Sequence, residues 1–473
     1  MMNYMRSVKR VITYYKNKVR EGEMNMVDTF KHFFHIMEQS NKKVQIEHSG
    51  SIQGNTREKV RSGQSYLYKC SGMESEVFEV RLKENVRGSF LNEALRLSIK
   101  RYPYLNAKMI ELDGDFYIVR NDITPVARKM EKLPVLGGIS NGYHLIDVTF
   151  WEKSIFVSFH HALCDGRGIK PFIETLLYYY CKGRYKSTAS AEGIRMSTDP
   201  LLPDETKEPF LGEYEYDTQK EMIDVSKDGF AIPENKAEQE KNSYRYEVII
   251  SQNEMMFQCK QSNATPAIML ALLMNETIAK LYPDFDKPIH ANIATDMREA
   301  LGVENTFKNC VKTIVLPYDK EFSKQDLQKK ATTYRELLRM QRDVDYCRKE
   351  ANTMLGLFNK LDTLPSLEEK QKIMAFFESM ILNSYVISYI GQFILNENEQ
   401  YVDEIHLYNS GVVGLGINMI CCSGKFILDF KQSFPSDKYV RGFEQELTNL
   451  GISFEESKSV EFTTPKDNII SRI

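Results

Sequence analysis

The sequence has a single tryptophan, Trp151, no C-x-x-C spacing among its eight cysteines, and no uninterrupted apolar run long enough to cross a bilayer. The thiols Cys70, Cys164, Cys181, Cys259, Cys310, Cys347, Cys421 and Cys422 are scattered along the chain. Neither a disulfide framework nor a zinc knuckle is expected from them, and they suit a reducing cytoplasm. Because no charged-then-apolar leader is visible, the protein is expected to be soluble, unexported and cytoplasmic. A net charge of −3, from 62 Lys+Arg against 65 Asp+Glu, gives no global basic field for nucleic acid and no acidic excess. The chain holds no G-x-S-x-G nucleophile elbow and no P-loop, and Gly414-Leu415-Gly416 lacks the third glycine of a dinucleotide fingerprint.

What is present is enough for two to four domains and a large core, since the chain has 473 residues and 26 each of tyrosine and phenylalanine. Arg6, Lys9, Arg10, Lys16, Lys18 and Arg20, with Val8, Val11, Ile12, Tyr15 and Val19 at near-helical spacing, read as a basic amphipathic helix over residues 1–20. It would offer contact with a membrane surface or a carrier protein; the alternative is a solvated leader. Residues 41–63, rich in Lys, Gln, Ser and Gly, read as linker, so 1–63 form a basic leader and linker.

From Ser65 the pattern is that of a packed α/β unit. A strand over Val77–Leu82, a helix over Phe90–Ile99 and a hairpin around Asp113-Gly114-Asp115 are expected, then a strand at His144–Phe150. This first lobe is placed at 64–185, followed by a surface connection over 186–245 and a second lobe over 246–473. In the latter, Thr265 and Pro266 open an apolar helix, and Ser323/Asp326 and Ser366/Glu369 stand at capping-box spacing. Strands are expected at Ile289–Thr295, Val311–Leu316, Val386–Phe393, Val412–Ile420 and Phe426–Phe430.

Three signals meet in residues 154–181. Ile155, Phe156, Val157 and Phe159 form a buried strand that ends at His160-His161. After Asp165-Gly166-Arg167-Gly168, Ile169, Phe172, Ile173, Leu176, Leu177 and Tyr180 fall on one helical stripe, with Pro171 expected in the first turn. The histidine pair thus sits on a strand-to-helix loop. Adjacent strand-end residues point apart and no third ligand stands at a familiar interval, so no metal is expected from them with Cys164 and Asp165. Cys164 as a thiol nucleophile is set against the commoner buried, inert cysteine. A histidine base remains, provided its imidazole is neutral near pH 7, oriented and within reach of substrate.

His160-His161-Ala162-Leu163-Cys164-Asp165-Gly166 resembles the HHxxxDG motif of the acyltransferase superfamily that includes chloramphenicol acetyltransferase, nonribosomal-peptide condensation domains and alcohol acetyltransferases. Ala94-Leu95 with Arg101-Tyr102-Pro103-Tyr104-Leu105 resembles its AL…RxPxL segment. Asp296-Met297-Arg298 and Thr306-Phe307-Lys308-Asn309 resemble its D-x-R and GN segments, although Lys308 stands where that family has glycine. The resemblance spans roughly 64–455. It implies an α/β (α+β sandwich) fold of two chloramphenicol-acetyltransferase-like lobes in a V, with an active-site tunnel between them. It further implies an acyltransferase, of alcohol O-acetyltransferase or condensation type, that moves an acyl group from acyl-CoA or an acyl carrier protein to a small-molecule alcohol or amine. No bound cofactor is implied beyond that co-substrate. His161 would be the general base, acting without an acyl-enzyme. Asp165 would be structural and paired bidentately with Arg298, Gly166 would permit close backbone approach, and His160 would pack. The Gly166 N–H, Asn309 and Ser388-Tyr389 are the candidates for oxyanion stabilisation. The absent C-terminal DFGWG and PLW motifs argue against the plant and wax-ester branches. A non-catalytic condensation-like binding module, or an amide-forming condensation enzyme on carrier-protein substrates, remains the alternative.

Overall fold

In the computed structural model of the chain, the described residues are 57–68, 74–112, 114–133, 135–220, 229–236, 243–380, 384–409 and 414–462. The helix expected over 1–20, Cys70 and most of the expected linker lie outside them. Among the described residues no helix is long and apolar enough to cross a membrane.

The strands in chain order are β1 Glu58–Lys59, β2 Ser75–Leu82, β3 Ala107–Leu112, β4 Asp115–Arg120, β5 Arg128–Lys129, β6 Ile146–Trp151, β7 Ser154–His160, β8 Ser243–Ser251, β9 Ile289–Asp296, β10 Val311–Tyr318, β11 Tyr385–Gln392, β12 Val402–Asn409, β13 Leu415–Cys422, β14 Lys425–Gln432 and β15 Phe454–Phe462. The helices are α1 Gln64–Leu67, α2 Gly88–Arg101, α3 Gly166–Arg184, α4 Gln252–Gln261, α5 Pro266–Leu281, α6 Arg298–Leu301, α7 Lys320–Ser323, α8 Leu327–Gln341, α9 Val344–Asp362, α10 Leu367–Met380 and α11 Lys438–Asn449.

Two sheets define two lobes. The first lobe has five strands in the order β12-β2-β7-β6-β5, and the second has seven, β10-β9-β11-β13-β14-β8-β15; a small third sheet, β1-β4-β3, flanks the first. Helix α3 follows its apolar stripe: Ile169, Phe172, Ile173, Leu176, Leu177 and Tyr180 are all buried against the first sheet's core. Pro171 lies in the second helical turn, one turn deeper than expected, and the helix continues through it. In the second lobe α5 is apolar on nearly every face and is buried over Ala267–Met274, as a helix covered on all sides must be. Thr265 caps it by accepting the Ile268 N–H, with Pro266 at the first helical position.

The structure departs from the sequence expectations at several places. Residues 58–63 are packed chain: β1 pairs with β4, Val60 is buried, and Ser62 donates to Glu208. Asp326, not Ser323, caps the helix that opens there, and α9, capped by Asp343, follows it unforeseen. The largest departure is β12, which leaves the second lobe to pair antiparallel with β2 in the first sheet, Asn409 opposite Glu76 and Val402 opposite Leu82. The lobe boundary at 246 is therefore crossed back by residues 402–409.

Strand β12 also lies over the second sheet, where Asn418 donates to the Leu407 carbonyl and the Leu407 N–H donates to Asp429. A charged network fills this junction. His406 bonds Asp429 through Nδ1 and Glu404 through Nε2, each at 3.0 Å, while Arg81 and Arg245 bind Glu247. The Glu247, His406 and Asp429 donor atoms lie close enough to hold a metal ion. The arginines and both ring nitrogens already satisfy them, however, so they form an ion-pair network. Burial opposes charge on His406, but Asp429 and Glu404 outweigh it and raise the ring to about 9. Since the unfolded value is about 6.5, the charged ring stabilises the fold fully below about pH 6.5, and this contribution disappears as pH rises through about 9. Stability to urea is expected to fall between pH 7 and 10 by on the order of 3 kcal/mol more in the wild type than in His406→Gln. Parallel pH profiles for the two proteins would remove His406 from that role.

Candidate functional site

The site forms where β7 ends and α3 begins. The alternation of β7 buries Ile155, Val157 and Phe159, and the chain then turns through His160 and His161 into α3. Asp165 caps that helix by accepting the Gly168 N–H at 2.7 Å. Gly168 meets the second lobe directly: a Cβ there would stand 1.9 Å from the Phe307 carbonyl oxygen. Gly168→Ala is therefore expected to force the lobes apart and cost about 1–3 kcal/mol, measured by urea denaturation. A variant as stable as wild type would show that the contact yields freely.

Asp165 and Arg298 meet as expected across the lobes, Nη2 to Oδ1 at 2.8 Å, each side chain 2% exposed. The expected bidentate geometry is not found. The guanidinium instead divides itself among Asp165, Asp296 Oδ1 at 2.9 Å, and the Thr306 and Lys308 carbonyls at 2.8 and 2.7 Å. The second oxygen of Asp165 accepts the Cys310 N–H at 2.9 Å. A fork whose three nitrogens together reach two carboxylates and two carbonyls fixes α6 and the 306–310 loop against α3. At the glycine-equivalent position the Lys308 side chain turns away to Glu58 and Glu208, and burial pushes its ammonium down to about 7.

His160 is buried, and its Nδ1 accepts the Ala162 N–H at 3.0 Å. Burial, then the neighbouring His161, lowers it to about 3, so it is a neutral packing residue. Cys164 is fully buried, and burial, then Asp165, pushes its thiol well up. The thiolate a nucleophile needs is thus disfavoured.

His161 is held on three sides. Its backbone N–H donates to the Glu74 carbonyl at 2.7 Å, the Tyr66 ring stacks on the imidazole at 4.2 Å, and Phe159 meets it edge-on at 5.6 Å. Its Nε2 faces the carboxylate of Glu76 at 3.3 Å. Burial disfavours charge on Glu76, yet His161 and then Lys431 outweigh it and hold the carboxyl below its usual range. Glu76 is therefore ionised at neutral pH.

The imidazole opens onto a cavity of about 480 Å³ between the lobes. Tyr66, Glu76, His161, Asp165, Gly166 and Lys170 line it from the first lobe; Asn309, Ser388, Tyr389, Asn418 and Lys431 line it from the second, and Asn409 comes from β12. At Gly166 the close neighbours are side chains, not the backbone expected there: a Cβ would sit 2.9 Å from Ile390 Cδ1 and 4.0 Å from Glu76 Oε2. Asn309 reaches the His161 carbonyl at 3.5 Å. Of the site residues expected from sequence, His161, Asp165, Gly166 and Asn309 line this cavity; His160 and Arg298 are buried behind it. Sequence reasoning missed Tyr66, Glu76, Asn409 and Lys431. Glu76 did leave a trace, for it shares the period-two face of Phe78, Val80 and Leu82, and an acid on an apolar strand face is out of place unless it has a task.

No protein-family model matches the chain, and no curated protein sequence matches it. Solved structures do. Polyketide synthase associated protein 5 from Mycobacterium tuberculosis superposes with TM-score 0.56 at 12% identity, covering 83% of this chain and 98% of that one. TRI101 of F. sporotrichioides, complexed with coenzyme A and T-2, gives 0.54 at 11% identity over 85% and 100%. The first condensation domain of the CDA synthetase gives 0.55 at 11% identity over 84% and 95%. The chain thus has the two-lobed, chloramphenicol-acetyltransferase-like fold that the HHxxxDG resemblance implies.

Proposed function

We propose that this protein is an acyltransferase that moves an acyl group from a phosphopantetheine thioester, acyl-CoA or acyl carrier protein, to a hydroxyl or amine, with His161 as general base. The observation that carries the reading is His161, with Glu76 at its Nε2, on the wall of a cavity that both lobes line. In this reading the acceptor gives its proton to His161 as it attacks the thioester carbonyl. The tetrahedral intermediate collapses, the C–S bond breaks, and the leaving thiolate takes the proton back from the imidazolium. The Gly166 N–H, Asn309 and Ser388 stand around the same space as donors for the developing oxyanion. Asp165 and Arg298 act at a distance by fixing the helix start. A TRI101 complex with coenzyme A in the same fold supports a CoA-borne donor, and the condensation-domain neighbour supports a carrier-borne one.

The competing reading, a binding module that keeps the fold without turnover, rests on Glu76, whose carboxylate stands at the nitrogen the base would use. Thiol release from acetyl- and longer acyl-CoA, followed over a panel of alcohols and amines, decides between them. Silence with CoA donors and with an acylated carrier protein would favour the binding module. If Glu76 steadies the imidazolium, Glu76→Gln is expected to lower the rate about tenfold or more, roughly 1.4 kcal/mol of transition-state stabilisation. An unchanged rate would make Glu76 a bystander.

A further inference from the structure

The charges around the cavity do not all cancel locally. Asp165 is paired with Arg298, Asp296 with Arg167, and Lys170 with Glu174. Two buried titratable groups remain turned toward the cavity, Glu76 from β2 and Lys431 from β14; burial pushes the Lys431 ammonium down, against the pull of Glu76 and Asp429. The sheets bring Glu76 and Lys431 together. Asn409 lies directly opposite Glu76 on β12, and its side-chain carbonyl accepts a hydrogen bond from Lys431 Nζ. An ammonium has three donors; among the described residues no carboxylate lies within 4.0 Å of Lys431 Nζ, and the neutral Asn409 is its hydrogen-bond acceptor. Asp429, two residues earlier on the same strand face, is committed to His406 and to the Leu407 N–H. A buried ammonium so thinly satisfied is costly unless an anion completes it.

Resting on the acyltransferase reading, we propose that the acceptor is an amine that also carries a carboxylate, a free amino acid, with its ammonium at Glu76 and His161 and its carboxylate at Lys431. An amine acceptor reaches the site as an ammonium, which an ionised carboxylate beside the base attracts; an alcohol gives Glu76 no charge to pair. Because the nucleophile must touch His161, the cation belongs to the acceptor. Lys431, whose acceptor Asn409 stands opposite Glu76 in the β2–β12 register, lines the same cavity and is placed for a second group on the same molecule. The balance is a thioester plus an ammonium carboxylate giving an N-acyl amino acid, a thiol and one proton. The C–S bond breaks and the C–N bond forms. One ammonium proton leaves through Glu76 to solvent, and the second passes through His161 to the departing thiolate.

The test compares glycine, leucine and phenylalanine with their methyl esters and decarboxylated amines as acceptors, following thiol release with the most active acyl-CoA. The wild type is expected to prefer the free amino acid by about 10²-fold in kcat/KM, the scale on which a site rejects a substrate lacking a group it was built to bind. In Lys431→Gln that preference should fall at least tenfold, and Lys431→Arg should restore part of it. If Lys431→Gln fails to fold, Asn409→Ala, which removes the side chain holding the ammonium, should lower the same ratio. Several outcomes overturn the inference while the acyltransferase reading stands: equal rates on ester and acid, a preference indifferent to Lys431, or a Lys431-dependent preference for malonyl- over acetyl-CoA, which would put the carboxylate on the donor. If no acceptor releases thiol from any acyl-CoA or from an acylated carrier protein, the acyltransferase reading fails. Calorimetry then decides the pocket alone: phenylalanine binding to wild type and not to Lys431→Gln supports the assignment, and no binding to either overturns it.

Discussion

His161→Ala is expected to lose about 10²- to 10⁴-fold in the rate of thiol release, the usual contribution of a positioned general base, while unfolding at nearly the wild-type urea concentration. The separation of the two effects follows from its surroundings. The His161 ring makes aromatic contact with Tyr66 and Phe159 beside a cavity, and its backbone N–H, which alanine retains, makes the bond to Glu74. Removing the ring enlarges an existing cavity, and Glu76, which loses the partner that favours its charge, lies on that cavity's wall where it can take up a proton, so the structural cost is small beside the chemical one. A variant as fast as wild type would show that the proton leaves by another route, and Glu76 would be the next group to remove.

Arg298→Met is expected to show the opposite pattern, with stability lost first. The substitution leaves Asp165 buried with its charge uncompensated, and breaking a buried pair in this way costs about 3–5 kcal/mol. It also frees the Thr306 and Lys308 carbonyls, both held by that guanidinium. Denaturant titration would report the loss, and thiol release at low temperature, where the variant remains folded, would report whether His161 still works. A loss below about 1 kcal/mol would mean that the α3 cap and the Cys310 N–H hold Asp165 without the arginine.

How much of this was legible in the sequence follows from how locally each feature is encoded. The strand, loop and helix around His161 are contiguous, and their periodicities switch cleanly from two to 3.6, so their arrangement could be read directly. The Asp165 and Arg298 meeting was legible only through the family resemblance, because 133 residues separate them. Glu76 stands on the apolar face of β2, but the partners that give it a task lie far along the chain. Lys431 was hidden because a charged residue in an alternating strand reads as the solvent face, and nothing local reveals that a second sheet covers it. Strand β12 was hidden for the same reason. Asp403, Glu404 and His406 make it look like a polar loop, yet Glu404 and His406 are buried between two sheets and paired with charges from both. Residues 58–63 looked like linker because they end a segment, 41–63, that is rich in Lys, Gln, Ser and Gly. Gly63 is there because a Cβ would stand 2.3 Å from the Ala162 Cα.

Strand β12 also sets an order of events during synthesis. Until residues 402–409 emerge from the ribosome, β2 remains an open edge, its N–H and C=O groups unpaired on one side. Tyr408 must travel back across 329 residues to reach Glu79. At about 5–20 residues per second, that edge stays uncovered for roughly ten to fifty seconds after β7 is complete. The newborn first lobe is thus the stage at which chaperones, or mispairing with another nascent chain, have their opportunity.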